Sequence, residues 1–178
     1  MSPAPVLTLA PEPTRPVSFT EVFEAYYRWV ASIAARLSGR SGDVEDIVQD
    51  VFFVCARKID TIPTMEAAKP WLRTVTVRVV RKRLRRKKWT AWFSSDDAAL
   101  DDLPYRGLSP EERSMLDDLY RALADLPVNH RLAWTLRHVE GERLEDVARA
   151  CECSLATAKR WIGAAAQHLE KLGHATPA

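Results

Sequence analysis

Three stretches of this chain carry side chains dense enough to do chemistry, and each points to a different kind of partner. Arg81-Lys-Arg-Leu-Arg-Arg-Lys-Lys88 has Lys or Arg at seven of eight positions. A single-sign run of that density suits a polyanion, because every cation that meets a phosphate releases a counterion. A solvated helix face is the plain alternative, although such faces usually mix signs. The stretch Leu144-Glu-Asp-Val-Ala-Arg-Ala-Cys-Glu-Cys-Ser-Leu-Ala-Thr-Ala-Lys-Arg-Trp-Ile162 is laid out as a helix-turn-helix, with a tight connection at 151–153 and Ser154 capping the second helix. Small Ala148 permits close helix approach, while Val147, Ala158 and Ile162 supply the packing that sets the angle. The second helix then presents Ser154, Thr157, Lys159 and Arg160 near its start, where side chains reach base edges and phosphates. A plain α-hairpin in a bundle is the competing reading. The third stretch, Asp43-Val-Glu-Asp-Ile-Val-Gln-Asp-Val-Phe52, sets Asp46, Gln49 and Asp50, with Phe53 just beyond, on one side opposite an inward Ile47/Val51 stripe. An acidic patch with an outward aromatic is unlike a DNA-binding surface and suits a protein contact. Taken alone, it is also what an ordinary solvated face looks like.

Other chemistry finds little support. His130, His138 and His174 have no evident nucleophile or acid–base partner, so neither a hydrolytic nor a transfer site is expected, and no cofactor. Cys151 and Cys153 with His168 raise the idea of zinc. Cys-x-Cys is tighter than structural-zinc spacing, however, and there is no second pair. Both cysteines also fall where a helix-turn-helix needs apolar side chains. Trp71, Trp89, Trp92 and Phe93 flank the basic run. Aromatics beside cations stack on unpaired bases, but these residues equally well pack or dock the neighbouring chain.

The elements that position these groups read as helices. Phe19, Val22, Phe23, Tyr26, Val30, Ile33, Ala34 and Leu37 recur at three- and four-residue steps. Ser18 caps that helix with Glu21 three positions on, and Gly39 stops it. A second helix is predicted over about 43–59, with Ile47, Val48, Val51, Phe52 and Cys55 inward and Asp43, Glu45 and Asp46 complementing its dipole. A loop with Pro63 and Pro70 follows. Residues 71–88 are ambiguous, since the β-branched run 74–80 favours a strand. Yet Leu72, Val75, Val79 and Leu84 form one helical stripe and Arg78, Arg81, Lys82 and Arg85 another, and a lone strand would have no partner, so a helix is expected. Ser109-Pro-Glu-Glu112 opens the next helix with proline at its first position. Leu116, Leu119, Tyr120 and Leu123 form its inner face. Pro127 starts another helix that Gly141 closes, and two more follow at 143–150 and 154–171.

The predicted fold class is therefore all-α, two small helical domains joined by a flexible linker, the second containing the helix-turn-helix. The expected boundaries are a disordered leader at 1–17, a first domain at 18–89, a linker at 90–108 and a second domain at 109–174. A length of 178 residues accommodates this division. Net charge is only +2, but it is segregated: 71–92 carries nine Lys/Arg and no Asp/Glu, while 93–118 carries eight Asp/Glu against Arg106 and Arg113. Five prolines among the first sixteen residues, with no charged-then-apolar pattern, argue against a secretion signal. No apolar stretch approaches the ~18 residues of a membrane span. Three cysteines fit a reducing cytoplasm better than a disulfide framework.

In order and spacing these segments resemble the bacterial RNA polymerase sigma factors of the extracytoplasmic-function (ECF) type, over about 19–172. The acidic stretch 43–52 is similar to the family helix that binds the clamp coiled coil of the polymerase β′ subunit. The resemblance thus implies core-polymerase binding by Asp46, Gln49, Asp50 and the adjacent Phe53. Trp71-Leu72 and the basic helix look like the part that engages and melts the −10-type element, which implicates Trp71, Arg78, Arg81, Lys82 and Arg85, with loop 60–70 receiving a flipped base. Leu126-Pro127, Val139-Glu-Gly141 and Ser154-Leu-Ala-Thr-Ala-Lys159 resemble the family's second domain, which reads the −35-type element. The implied partners are core polymerase, promoter DNA and an anti-sigma factor. Glu152 stands where the family usually has Gly, and Arg143 where a capping Ser or Thr is common. Trp161 and Ala164 replace basic residues, Val77-Arg78 a frequent Arg-Asn pair, and Val54 a frequent Arg.

The implied mechanism is non-catalytic. Binding to core polymerase fixes the separation of two weak DNA-reading modules, which then act at high effective concentration on one promoter. Phosphate contacts supply salt-sensitive affinity, each base contact about 1–3 kcal/mol of discrimination, and capture of an unstacked base offsets a few kcal/mol of unpairing. Two rivals stand beside this reading: a helix-turn-helix regulator using only 109–172, and a polymerase-binding adaptor or decoy without promoter reading.

Overall fold

A computed structural model describes residues 16–39, 44–90 and 109–174, with side chains described as far as residue 86 in the second stretch. The leader through residue 15, Asp43 and most of the expected linker, with Trp92 and Phe93, lie outside these residues, as does the Trp89 side chain. Helix α1 spans Phe19–Ser38, and its capping box is complete: Ser18 Oγ accepts from the Glu21 N–H, and Glu21 accepts from the Ser18 N–H. It ends at Gly39, whose φ of 62° and ψ of −135° favour glycine. Helix α2 spans Val44–Lys58 and buries the expected Ile47, Val48, Val51, Phe52 and Cys55 before a 3-10 turn at Ile59–Thr61. Helix α3 is Met65–Thr90. The expected loop at 60–70 is therefore mostly helical, and only residues 62–64 separate the 3-10 turn from α3.

The β-branched run 74–80 lies in the middle of α3. Leu72, Val75, Thr76, Val77, Val80 and Leu84 are all buried, so α3 is covered on more than one side, and Val79 is only half-buried. Helices α1 and α2 pack against it, and so do helices of the second unit. Burying a valine gains about 1.5–3 kcal/mol, whereas its helix-propensity cost relative to alanine is about 0.7 kcal/mol or less. Burial decides the outcome. Buried Thr76 satisfies its hydroxyl by donating to the Leu72 carbonyl at 2.8 Å, and Thr74 donates to Pro70 at 3.1 Å.

The second unit comprises α4 (Pro110–Ala124), α5 (Val128–Trp134), α6 (Leu144–Ala150) and α7 (Leu155–Lys171). Ser109 and Glu112 form a second capping box with Pro110 at the first helical position, as expected. Helix α5 runs on into a π-helical turn at Thr135–Val139, and Gly141 (φ 68°) reverses the chain before α6. No strand occurs among the described residues.

The two helical units are in contact. One continuous buried cluster joins Val22, Val51, Leu72, Val77 and Val80 of the first unit to Leu132, Leu136, Val147 and Ala158 of the second. A smaller cluster of Tyr120, Leu123, Leu126, Trp134, Ala165 and Leu169 holds α4 against α5 and α7. Arg131 crosses the seam. Buried at 7% exposure, it donates through Nη2 to the Ser38 carbonyl at 2.5 Å, and burial pulls its pKa down. A Cβ on Gly39 would collide with that guanidinium and crowd the Tyr120 ring, so the glycine also makes room for the other unit.

Candidate functional site

The charged groups singled out from the sequence occupy three surfaces. On α2, Asp46, Gln49, Asp50 and Phe53 all lie on the exposed side, and Phe53 is 62% exposed. The i, i+4 spacing of the two aspartates puts them one turn apart, and both are met by Arg83 from α3. Its Nη2 lies 2.6 Å from Asp50 Oδ2, and its Nη1 3.3 Å from Asp46 Oδ2. Burial works against the Arg83 charge, but these carboxylates outweigh it and hold the guanidinium above its ordinary pKa. Arg83 could not be singled out within a run of seven cations. The aromatic surroundings were also missed: Phe23, expected inward, is 38% exposed and packs on Phe52 at 4.8 Å and Tyr27 at 5.1 Å between ring centroids. With Phe53 these rings line a groove of about 690 Å³ that shares Asp46 and Gln49.

The basic stripe of α3 is divided. Lys82 and Arg85 are exposed and, among the described residues, without a partner across the seam, whereas Arg78, itself exposed, and the half-buried Arg81 turn toward the connection between α6 and α7. Arg78 Nη2 lies 2.5 Å from Glu152 Oε1, with its Nε 3.4 Å from Oε2. Arg81 Nη1 lies 3.5 Å from Glu152 Oε2, and its Nη2 donates to the Cys151 carbonyl at 2.8 Å. The Glu152 carboxyl is held below its ordinary pKa chiefly by the Arg78 hydrogen bond, and the Arg78 guanidinium is correspondingly raised. Trp71 is half-buried against the core and borders a groove with Val54, Lys58, Thr74, Arg78 and Arg149.

In the helix-turn-helix, Ser154 caps α7: its Oγ accepts the Thr157 N–H at 3.2 Å and lies 2.9 Å from Thr157 Oγ1. Both hydroxyls are thus engaged in the cap, leaving Lys159 and Arg160 as the exposed cations near the start of α7. Trp161, in place of a basic residue, is half-buried, with its ring 6.2 Å from that of His130. The cysteines behave as packing residues. Cys151 is buried and its thiol pushed up to about 11, first by burial, and burial raises Cys153 as well. Among the described residues no group of acidic, His and Cys side chains could hold a metal ion, and no helix is long and apolar enough to cross a membrane.

Comparison with known proteins agrees with this layout. Residues 22–90 match the family Sigma-70 region 2, and residues 116–169 match Sigma-70, region 4. The ECF RNA polymerase sigma-E factor of Escherichia coli (strain K12) is 28% identical over 160 residues, covering 82% of this chain and 81% of that protein. The protein of the same name from Haemophilus influenzae is 26% identical over 163 residues, with 86% of each covered. The co-crystal structure of the sigma factor RpoE in complex with the anti-sigma factor NepR from Bartonella quintana matches with a TM-score of 0.64 and 25% identity, over 86% of this chain and 95% of that one. CnrH, solved in complex with the cytosolic domain of CnrY, shares the fold with a TM-score of 0.59 at 19% identity.

An acidic α2, a basic α3 and a helix-turn-helix, matched in order to regions 2 and 4, define a promoter-recognition subunit: the chain belongs to the sigma-70 family, in its extracytoplasmic-function group. It is a sigma factor, and its domains bind core RNA polymerase and promoter DNA to direct transcription initiation. Sigma factors are generally non-enzymatic regulators. The region 2 match accounts for α1–α3, which a regulator confined to 109–172 leaves unexplained.

Proposed function

We propose that the roles divide between two functional modules, 18–89 and 109–174, joined through 90–108. Asp46, Gln49, Asp50 and Phe53 bind the β′ clamp of core polymerase. Their acidic and aromatic side chains are exposed together on α2 beside the Phe23/Tyr27 groove, which favours a protein partner over DNA. Lys82 and Arg85, with Arg78, Arg81 and Trp71, engage and open the −10-type element. Thr157, Lys159 and Arg160 meet the −35-type element, and Ser154 sets the start of that helix. Lys–phosphate contacts contribute mainly salt-sensitive affinity, and base contacts at α7 contribute discrimination. Polymerase carries out the nucleotidyl transfer, and the chain supplies no catalytic group. The protein acts in the cytoplasm. An anti-sigma factor is a further partner, by analogy with the RpoE relative solved with NepR.

The observation that carries this reading is the side-by-side placement of an exposed acidic α2 and an exposed basic edge of α3, bridged by Arg83. The test is binding to purified core polymerase together with run-off transcription. Charge reversal at Asp46 and Asp50 (D46K/D50K) is expected to weaken core binding by about an order of magnitude or more, as loss of close charge pairs does at other interfaces. DNA binding by the helix-turn-helix is expected to persist. Unchanged core affinity would reject the assignment of α2.

A further inference from the structure

The seam between the two units has a consistent polarity. The ion pairs described across it set arginines of the first unit against glutamates of the second: Arg36 with Glu140, Arg73 with Glu142, and Arg78 and Arg81 with Glu152. Glu140 and Glu142 are delivered by the widened turn at the end of α5 and by Gly141 beyond it. Glu152 is delivered differently. Its φ is 55°, the only positive φ of a non-glycine residue among the described residues. A left-handed conformation costs a side-chain-bearing residue energy that glycine does not incur. In return, the carboxylate sits between Arg78 and Arg81, two of the α3 cations assigned to promoter DNA. The Cys151 carbonyl beside it takes a second Arg81 N–H.

We propose that Glu152 is an intramolecular clasp: set in the strained turn of the helix-turn-helix, its carboxylate stands where a DNA phosphate would, engaging the exposed Arg78 and the half-buried Arg81 and adding to the apolar contacts that keep the two units closed. Promoter contact through Arg81 then requires the second unit to move off α3, and contact through Arg78 requires the Glu152 carboxylate to be displaced. The α7 cations Lys159 and Arg160 stay exposed in the closed form, so the clasp occupies two cations of one DNA surface and leaves the other surface open. The occupation of DNA contacts rests on the assignment of Arg78 and Arg81 made above; the closing of the seam does not.

Cys151 reports on the seam. It is buried with the shared cluster, and Arg81 from α3 hydrogen-bonds beside it. Its alkylation by N-ethylmaleimide, resolved from that of Cys55 and Cys153 by peptide mass spectrometry, therefore follows opening even when the open form is scarce. In the full chain, E152Q and R78Q are each expected to raise the Cys151 rate about two- to five-fold, the range of a partly exposed ion pair. The buried Cys55 of α2 should not change. The two substitutions alter the charge beside the thiol in opposite senses, so a rise in both reports opening rather than thiolate fraction. The exchange R78E/E152R should return the rate toward that of the parent. A Cys151 rate unmoved in both single variants, or a parallel rise at Cys55, overturns the clasp.

The DNA arm uses fluorescence anisotropy with a mixed-sequence 30-base single strand at low salt. Apparent affinity scales with the open fraction, so E152Q should tighten binding by the same factor as the Cys151 rate. E145Q, at an exposed α6 carboxylate, removes the same charge and should leave binding unchanged. Faster Cys151 alkylation together with unaltered DNA affinity keeps the clasp and overturns the assignment of Arg78 and Arg81 to DNA.

Discussion

At the scale of single residues, opposite charges are held together within the chain. Arg83 holds Asp46 and Asp50, and Glu152 holds Arg78 and Arg81. Pairs this exposed contribute little to stability, typically about 0–1 kcal/mol, so their effect is on what a partner must displace. Gly39 belongs to another category. Its backbone angles lie where side-chain-bearing residues are strained by about 1–3 kcal/mol, and Arg131 and Tyr120 fill the space a Cβ would need. G39A should therefore destabilise the chain by about 2 kcal/mol or more. It should also displace the Arg131 bond to Ser38. A urea-unfolding midpoint within error of the parent would show that the close approach at Gly39 is not needed. The stop of α1 at Gly39 was legible in the sequence, because a helix end followed by glycine is a local pattern. Its second task was not, since Arg131 lies 92 positions away.

At the scale of elements, local rules were obeyed wherever local energies decide. Ser18/Glu21 and Ser109/Glu112 both form the reciprocal caps their spacing calls for. Removing the second, with S109A, should cost about 1 kcal/mol and fray the start of α4, which unfolding of the full chain followed by circular dichroism would detect. Local rules failed at α3. Alternation and β-branching in 74–80 favour a strand, and the prolines at 63 and 70 favour a longer loop before it. Burial against both units overrides the first preference. The helix meanwhile starts at Met65 and carries Pro70 within it, which is tolerable in its early turns, where one lost N–H bond is a small share of the total. Phe23 shows the same limit from the other direction. Periodicity placed it inward, yet it lies at the margin of the stripe and opens onto the aromatic groove.

At the scale of the whole molecule, the decisive feature is one apolar cluster shared by both units. Leu136 is fully buried in it together with residues of α1, α2 and α3. L136A should cost about 2–5 kcal/mol through lost burial and the cavity left behind. The loss should not stay local: hydrogen exchange should quicken in α3 as well as in α5. Faster exchange confined to 109–174 would mean that the units are energetically separate despite their packing. A partner that binds through α2 would open the seam only to the extent that it binds the open form more tightly than the closed one.

By itself, the sequence determined the helical fold class, the caps, the helix-turn-helix and the segregation of charge into an acidic α2 and a basic α3. Each of these depends on residues within a few turns of one another, and periodicity, capping chemistry and charge density record such energies directly. Only the tertiary structure decided which of the basic residues are ion-paired with the second unit, that Arg83 bridges the acidic pair, and that Glu152 faces α3 from a left-handed turn. Those outcomes depend on the docking of segments some seventy residues apart. The docking is driven by apolar burial that has no direction of its own, so no local pattern announces which charges it will bring together.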